Sequence, residues 1–259
     1  MYALHMEWTK LRTVATTGWW LLGLVACTVG LAAFVSSTVD AVNCAPRCDF
    51  DLPRLSLSGV YIGQIAAVAL GALAVTTEYD TAMVRTTLAA YPRRGAVLAA
   101  KLAVVTVVVL GCAALGVLGS LAVARGILPG NGFTRANGYP PLSLGDRATL
   151  RAYLGTVLYL GLIAILSAGV GATLRNTAAT VSMVLGMLYV LPIVIPFLPT
   201  GAWRDALYRY SPMSAGLTVQ ATRGLNALPI GPWPGLGVLA GYAGAAVLAG
   251  ALLFRLRDA

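Results

Sequence analysis

Residues 102–124 read L-A-V-V-T-V-V-V-L-G-C-A-A-L-G-V-L-G-S-L-A-V-A and contain no charged side chain. A helix needs roughly 20 mostly apolar residues to cross a hydrocarbon core about 30 Å thick. Lipid offers no partner to an exposed backbone N–H or C=O group, so a run of this length must be helical. The stretch therefore predicts a membrane-spanning helix. A strand of an outer-membrane barrel would alternate apolar and polar residues, which this stretch does not do.

Five further apolar runs without charged residues lie on either side of this one. They occupy residues 19–39, 57–75, 152–174, 178–198 and 235–254. The composition agrees with them, because 58% of the residues are hydrophobic and 10% are charged, whereas a soluble domain carries about 25% charged residues. The sequence therefore predicts an all-α membrane protein with six transmembrane helices and excludes a water-soluble fold.

The segments outside these runs complete a single transmembrane domain over residues 1–259. Residues 1–18 mix Trp and Leu with Lys and Arg, which is typical of a helix lying in the membrane interface. The expected order is an interfacial helix at 1–18, spans 1 and 2 in 19–75, a cytoplasmic segment at 76–101, spans 3 to 5 in 102–198, a loop at 199–234, and span 6 with a cytoplasmic tail in 235–259.

The loop at 199–234 is too polar to cross the membrane. Pro192, Pro196 and Pro199 precede or open it, and we expect them to end the fifth helix because proline lacks a backbone donor. Trp and Tyr among small residues in this loop are typical of segments seated at the membrane interface. We therefore expect a partly helical, re-entrant loop before the sixth span.

The distribution of charge indicates an orientation. Six spans place both termini on one side, and each side receives nine basic residues, but the segments on the side of the termini are shorter. Basic residues concentrate in short cytoplasmic segments, so both termini are expected in the cytoplasm. The net charge of +9 is spread over the ends of the spans, which suits anionic lipid headgroups rather than nucleic acid. Nearly all the basic residues are Arg, and the chain is rich in Ala, Gly and Val, which indicates a GC-rich bacterial genome. The expected location is therefore a bacterial cytoplasmic membrane.

Two cysteines, Cys44 and Cys48, lie in the loop between the first two spans. The expected orientation places that loop outside the cytosol, where a disulfide can persist. A Cys44–Cys48 bridge is therefore predicted, and two unpaired loop thiols are the alternative.

The inventory of catalytic groups is small. His5 is the only histidine, the six runs contain no carboxylate, and no G-x-x-x-x-G-K-[ST] phosphate loop occurs. The sequence therefore predicts no catalytic residue, no metal site and no cofactor bound by this chain.

The polar residues within the runs are uncharged Gln, Ser and Thr. They fit hydrogen bonds between helices or contacts with a substrate. The candidate substrate pathway consists of Tyr61, Gln64, Met183 and Met187, although methionine also serves ordinary packing. Small residues recur every four positions at Gly63, Ala67 and Gly71 and again at Gly237 and Gly241. This spacing indicates closely packed helices and an oligomer.

The connection between the second and third spans reads E-Y-D-T-A-M-V-R-T-T-L-A-A-Y-P-R-R-G-A-V-L-A-A-K at residues 78–101. Asp80 can cap a helix that starts at the next residue, and Pro92 prevents that helix from continuing. The spacing therefore predicts a short cytoplasmic helix over residues 81–91. A plain connector that obeys the positive-inside rule is the alternative.

This block resembles the pattern E-Y-x-x-G-x-[IV]-R-x-T-L-x-x-x-P-x-R, followed by Lys, of bacterial ABC-2 permeases. The matching residues are Glu78, Tyr79, Val84, Arg85, Thr87, Leu88, Pro92, Arg94 and Lys101, and Ala82 departs from the usual glycine. A second match, E-W-T-K-L-R-T at residues 7–13, is similar to the opening of the same permeases.

The resemblance implies the permease subunit of an ATP-driven exporter of a drug, lipid or peptide. It implies two permease subunits, with substrate moving along their interface, and separate ATPase subunits that bind ATP and Mg. Residues 1–18 would be the elbow helix and residues 81–91 the coupling helix. The implied ATPase-coupling residues are Glu78, Met83, Val84, Arg85, Thr87, Leu88, Arg93 and Arg94. An ATP-independent secondary carrier is the alternative, and the absence of intramembrane charge disfavours it.

Overall fold

The computed structural model of the chain describes residues 15–41, 50–80 and 94–256, and these ranges contain helices and loops without a strand. The α-helices are α1 Ala15–Thr38, α2 Leu52–Ser56, α3 Val60–Asp80, α4 Arg94–Ile127, α5 Arg147–Leu174, α6 Thr177–Leu185, α7 Leu191–Val194, α8 Ala202–Tyr210, α9 Pro212–Leu217 and α10 Pro232–Leu256. A π-helical segment, Gly186–Val190, joins α6 to α7, and Thr218–Gln220 is a 3-10 turn after α9.

Six helical segments are long and apolar enough to cross a membrane. They are Thr16–Thr38, Val60–Thr77, Val97–Asn131, Arg147–Leu174, Thr177–Phe197 and Pro232–Leu253. The prediction of an all-α protein with six spans is thus confirmed, and the chain is a multi-pass membrane protein. The fifth span combines α6, the π-helical segment, α7 and the 3-10 turn Ile195–Phe197.

The helices of the third and fourth spans begin earlier than the apolar runs predict, at Arg94 and Arg147 instead of residues 102 and 152. Arg and Lys are good helix formers, so a basic residue does not end a helix. Lys101 and Arg151 therefore belong to the spans, where Lys101 Nζ lies 3.5 Å from the Ala74 carbonyl oxygen and Arg151 Nη2 lies 2.6 Å from that of Ala221. With Arg125 and Arg147, the spans contain four basic residues, so the expectation that they carry no charge is wrong at these four positions.

Helices α3 and α5 form the centre of the bundle. Over 18 residues of each of these spans 67% are buried, against 17% to 22% for the first, fifth and sixth spans. Gly71 lets the two helices approach, because a Cβ there would overlap the Ala164 carbonyl group. Ser167 Oγ also donates a 2.7 Å hydrogen bond from α5 to the Val68 carbonyl oxygen of α3. Small residues and interhelical hydrogen bonds of this kind hold spans together in lipid.

At one end of the bundle, the connections that contain Phe50, Asn131, Phe133 and Tyr139 pack against each other. We call this end the loop end. Asn131 Nδ2, after α4, donates to the Ser36 carbonyl oxygen of α1 at 2.8 Å. The Phe133 ring packs edge-on against Phe50 and Tyr139. Polar side chains that bond to distant backbone groups satisfy loops that have no regular ladder of their own.

Helix α5 begins at the loop end with a side-chain cap. The Asp146 carboxylate accepts a 2.9 Å bond from the Thr149 backbone N–H and a 2.8 Å bond from its hydroxyl. These hydrogen bonds hold the pKa of Asp146 below its usual value. The cap explains why the fourth span starts at Arg147, five residues before the apolar run.

The opposite end, which we call the turn end, holds the C-terminus of α3 and the start of α4. It also holds the connection of α5 to α6, which consists of Arg175 and Asn176 alone. Arg175 adopts a left-handed conformation with φ 56°, and Asn176 Oδ1 caps α6 by accepting from the Ala179 N–H at 2.9 Å. The two helices therefore reverse direction within two residues.

The fifth span continues past the first proline. The N–H of Leu191 bonds to the Gly186 carbonyl oxygen, as in a π-helix, and Pro192 follows in the first turn of α7, where a missing donor is tolerated. Pro196 lies in the 3-10 turn, and the chain becomes extended at Leu198. The predicted end of the helix is therefore reached directly before Pro199.

Candidate functional site

Gln64, one turn into α3 from the loop end, is fully buried among apolar side chains. Tyr159 of α5 donates a 2.5 Å hydrogen bond to Gln64 Oε1, and Gln64 Nε2 points to the sulfur of Met213 on α9 at 3.5 Å. A buried amide without partners would cost several kcal/mol in this environment, on the order of 2 to 7. These contacts therefore fix the Gln64 side chain between three helices.

Tyr159 lies twelve residues into α5, about 18 Å along the helix at 1.5 Å per residue. Its side chain is fully buried. Gly216 of α9 packs on the ring, where a Cβ would lie 2.6 Å from a ring carbon. Glycine at this position thus allows α9 to reach the depth of Tyr159.

The π-helical segment contributes Tyr189, which contacts Tyr61 of α3. The Tyr189 hydroxyl donates to the backbone carbonyl oxygen of Tyr61. A π-helical turn inside an α-helix is rare and frequently occurs at functional sites. We call Tyr61, Gln64, Tyr159, Tyr189 and Met213 the tyrosine–glutamine cluster.

The structure brings together some of the candidate pathway residues and separates others. Tyr61 and Gln64 belong to the cluster, and Met187 is half-buried against the same hydrophobic core. Met183 instead is 57% exposed on the outside of the bundle. Their role in a substrate pathway stays a prediction.

Sequence reasoning missed Tyr159, Tyr189 and Met213. A tyrosine in the middle of an apolar span must find a partner for its hydroxyl group, and Tyr159 gave that signal. No signal pointed to Met213, because its contact with Gln64 joins residues 149 positions apart.

A second buried polar contact joins the turn after α9 to α5, nearer the loop end than Tyr159. Gln220 is fully buried, and its Nε2 donates to Thr156 Oγ1 at 3.3 Å. Within the described part of the chain, Gln220 Oε1 and Arg151 Nε are buried without a hydrogen-bond partner. Polar contacts therefore hold this part of the chain to α5 at two depths. The turn after α9 is held at Gln220, and α9 itself is held through Met213 and Gln64 at Tyr159.

At the turn end, three contacts join the spans around the end of α3. The Arg175 guanidinium lies over the Tyr79 ring at 5.0 Å. Thr76 Oγ1 lies 2.6 Å from Thr177 Oγ1, at the start of α6. Lys101 of α4, 6% exposed, reaches the Ala74 carbonyl oxygen. The end of α3 is thereby tied to α4, to the α5–α6 turn and to α6.

The implied coupling residues lie at this end or beyond the described ranges. Glu78 is in the last turn of α3 and Arg94 begins α4, and only their backbones are described. Outside the described residues lie the predicted helix at 81–91 with Met83, Val84, Arg85, Thr87 and Leu88, as well as Arg93, residues 1–14, Cys44 and Cys48. No group of three or more His, Cys, Asp or Glu side chains that could hold a metal ion occurs in residues 15–41, 50–80 and 94–256.

Comparison with known proteins adds no family. No model of a known protein family matches the chain, and no curated protein sequence matches it. Any assignment of function therefore rests on the motif at residues 78–101 and on the geometry of the bundle.

Proposed function

We propose that this chain is the permease subunit of an ABC-2 type transporter in a bacterial cytoplasmic membrane. The observation that carries the proposal is the motif at residues 78–101, whose ends are the last turn of α3 and the first turns of α4. In this proposal both termini are cytoplasmic, and residues 81–91 contact a separate ATPase subunit that binds ATP and Mg. A second permease subunit completes the transporter.

The contacts at the turn end support a coupling role for this motif. Tyr79 and Lys101 belong to it, and they contact Arg175 and Ala74 respectively. A force applied to residues 81–91 acts on α3 and α4, and the Tyr79–Arg175 and Thr76–Thr177 contacts extend it to α5 and α6. Coupling of this kind needs a contiguous set of packed elements, which these contacts supply.

The charge of the spans favours an external source of energy. None of the six spans contains Asp or Glu, whereas ion-coupled carriers use intramembrane ionisable residues as relays. Three basic side chains within the spans, Lys101, Arg125 and Arg151, bond to backbone carbonyl groups and so serve the packing of the bundle. The secondary carrier therefore remains the second candidate.

The geometry of α9 supports a re-entrant segment and an apolar pathway. Helix α9 and the turn after it pack between α5 and α10, at a depth that includes Tyr159. The residues around it are tyrosines, methionines and aliphatic side chains, which suit an amphiphilic or hydrophobic compound such as a drug, lipid or peptide. We propose export of such a compound, with the loop end outside the cell.

The coupling assignment is tested by the double substitution Arg85→Glu with Leu88→Asp. A few anchor residues carry most of the energy of an interface, so reversing one charge and removing one apolar anchor should abolish transport. Substrate-stimulated ATP hydrolysis should be lost as well, while the permease still inserts and accumulates. Transport into vesicles and ATP hydrolysis by the complex with its ATPase are the measurements.

The matched control is Arg135→Glu with Leu225→Asp, which makes the same chemical changes on exposed residues of the loop end. It should transport at the wild-type rate. If the Arg85 and Leu88 variant also transports at that rate, the coupling assignment is wrong and the secondary carrier is favoured.

A further inference from the structure

Helix α8, Ala202–Tyr210, follows the fifth span and separates its residues by polarity. At 3.6 residues per turn, Trp203, Ala206, Leu207 and Tyr210 share one face. Arg204, Asp205, Tyr208 and Arg209 share the opposite face. This is the pattern of an amphipathic helix with one apolar surface.

The apolar face of α8 is largely exposed in the described part of the chain. Trp203 is 85% exposed, Leu207 41% and Tyr210 48%, and none of the nine residues of α8 is buried. An isolated helix of this length is marginal in water, because nucleation is costly and few hydrogen bonds follow. The apolar face of α8 therefore needs a nonpolar environment.

The neighbouring segments identify that environment. The fifth span ends with Ile193 and Phe197, which are 63% and 84% exposed, so this end of the span presents apolar side chains to the surroundings of the bundle. After α8 the chain turns into the bundle, where Pro212 and Gly216 of α9 are buried. Helix α8 thus connects a span end with exposed apolar side chains to a buried segment, and its own apolar side chains are exposed as well.

We propose that α8 lies in the membrane interface at the loop end and binds lipid there. Trp203, Leu207 and Tyr210 contact the boundary between headgroups and acyl chains, where Trp and Tyr are enriched. Arg204 and Arg209 face the phosphates of anionic headgroups, with which arginine forms strong charge-assisted hydrogen bonds. Asp205 Oδ1 lies 3.8 Å from Arg204 Nε, and with two arginines against one carboxylate the polar face keeps a net positive charge.

Spin labels on the two faces of α8 test this proposal. In a background without Cys27, Cys44, Cys48 and Cys112, a nitroxide is attached to Leu207→Cys or, as the matched control, to Asp205→Cys. The protein is placed in lipid nanodiscs, and collision with oxygen is compared with collision with a water-soluble nickel complex. The ratio of oxygen to nickel collisions should be severalfold higher at position 207 than at position 205.

Two results would overturn the lipid assignment. If both labels collide mainly with the nickel complex, α8 lies in water. If the label at position 207 is shielded from both reagents, protein covers the apolar face, either a second copy of the chain or its residues 42–49. Neither result depends on whether the chain is an ABC-2 permease.

The headgroup assignment is tested by lipid composition. Nanodiscs of phosphatidylcholine alone should give a lower oxygen-to-nickel ratio at position 207 than nanodiscs that also contain phosphatidylglycerol. Arg204→Gln with Arg209→Gln should remove this difference. A ratio that is equal in both lipids before the arginines are replaced would contradict their role in binding anionic headgroups.

Discussion

Helices α3 and α10 carry the same pattern of small residues and use it differently. A Cβ on Gly63 of α3 would overlap the Thr28 hydroxyl group of α1, and one on Gly71 would overlap the Ala164 carbonyl group of α5. At Gly237 and Gly241 of α10, nothing in the described part of the chain lies within 4 Å of such a Cβ. Identical spacing therefore predicts that a helix can be approached closely, but it does not say whether this chain provides the neighbour.

The contacts of α10 within the chain depend on other glycines. Gly235 lets α10 approach the Ala215 carbonyl oxygen of α9, and Gly250 lets it approach Gly169 and Ala172 of α5. These two glycines are fifteen positions apart and form no four-residue repeat. Gly237 and Gly241 remain exposed to whatever surrounds the chain, and the oligomer that this spacing indicates stays a prediction.

The largest effect that distinguishes the two helices is expected from valine in place of glycine. Gly71→Val should destabilise the protein by about 3 kcal/mol, because the added methyl groups meet backbone that cannot move aside. Gly241→Val, the same change on α10, should leave stability close to wild type. Thermal unfolding in detergent is the measurement, and an equal loss for both variants would contradict the difference between the helices.

A smaller effect is expected from replacing Gln64, the buried amide of α3. Gln64→Leu leaves the Tyr159 hydroxyl group buried without its acceptor, at a cost of about 1 to 3 kcal/mol. Adding Tyr159→Phe should restore part of the loss, because both polar groups are then absent. Tyr242→Phe on α10 is the matched control and should be neutral, since Tyr242 is 39% exposed. Strictly additive losses in the double variant would rule out the Gln64–Tyr159 contact.

The smallest effect is expected at Asp51, whose carboxylate joins the loop before α3 to the loop before α10. Asp51, before α2 and α3, accepts hydrogen bonds from the Thr222 N–H at 2.5 Å, the Thr222 hydroxyl at 2.6 Å and the Arg223 N–H at 3.0 Å. Asp51→Ala should cost about 1 to 2 kcal/mol, because these groups are only partly buried. Asp205→Ala, which removes an exposed carboxylate, is the control. An unchanged unfolding midpoint for Asp51→Ala would show that the loops are held by other contacts.

The six spans were predictable because each depends on a local property, the length of an apolar run. Their ends were not, because Lys101 and Arg151 are accommodated by carbonyl groups of Ala74 and Ala221, far away in the sequence. The tyrosine–glutamine cluster was predicted only in part, at Tyr61 and Gln64. Its other members come from α5, the π-helical segment and α9, and no periodicity in one helix can reveal which helices meet.

The loop at 199–234 was predicted as one unit and contains two different helices. The amphipathic pattern of α8 is visible in the sequence. The burial of α9 depends on Gly216 and Gly235, whose neighbours are a tyrosine ring and a backbone from other segments. Local composition could therefore indicate a helix in this loop but not the depth at which α9 packs.

The two-residue connection between α5 and α6 has a consequence for biosynthesis. The connection of Arg175 and Asn176 is too short for α6 to remain on the far side of the bilayer once α5 has crossed. Whichever way α5 crosses, α6 must cross back as soon as it leaves the ribosome, so the two enter the membrane as one helical hairpin. Because α5 supplies the centre of the bundle, this hairpin gives the earlier spans α1, α3 and α4 the surface on which they assemble.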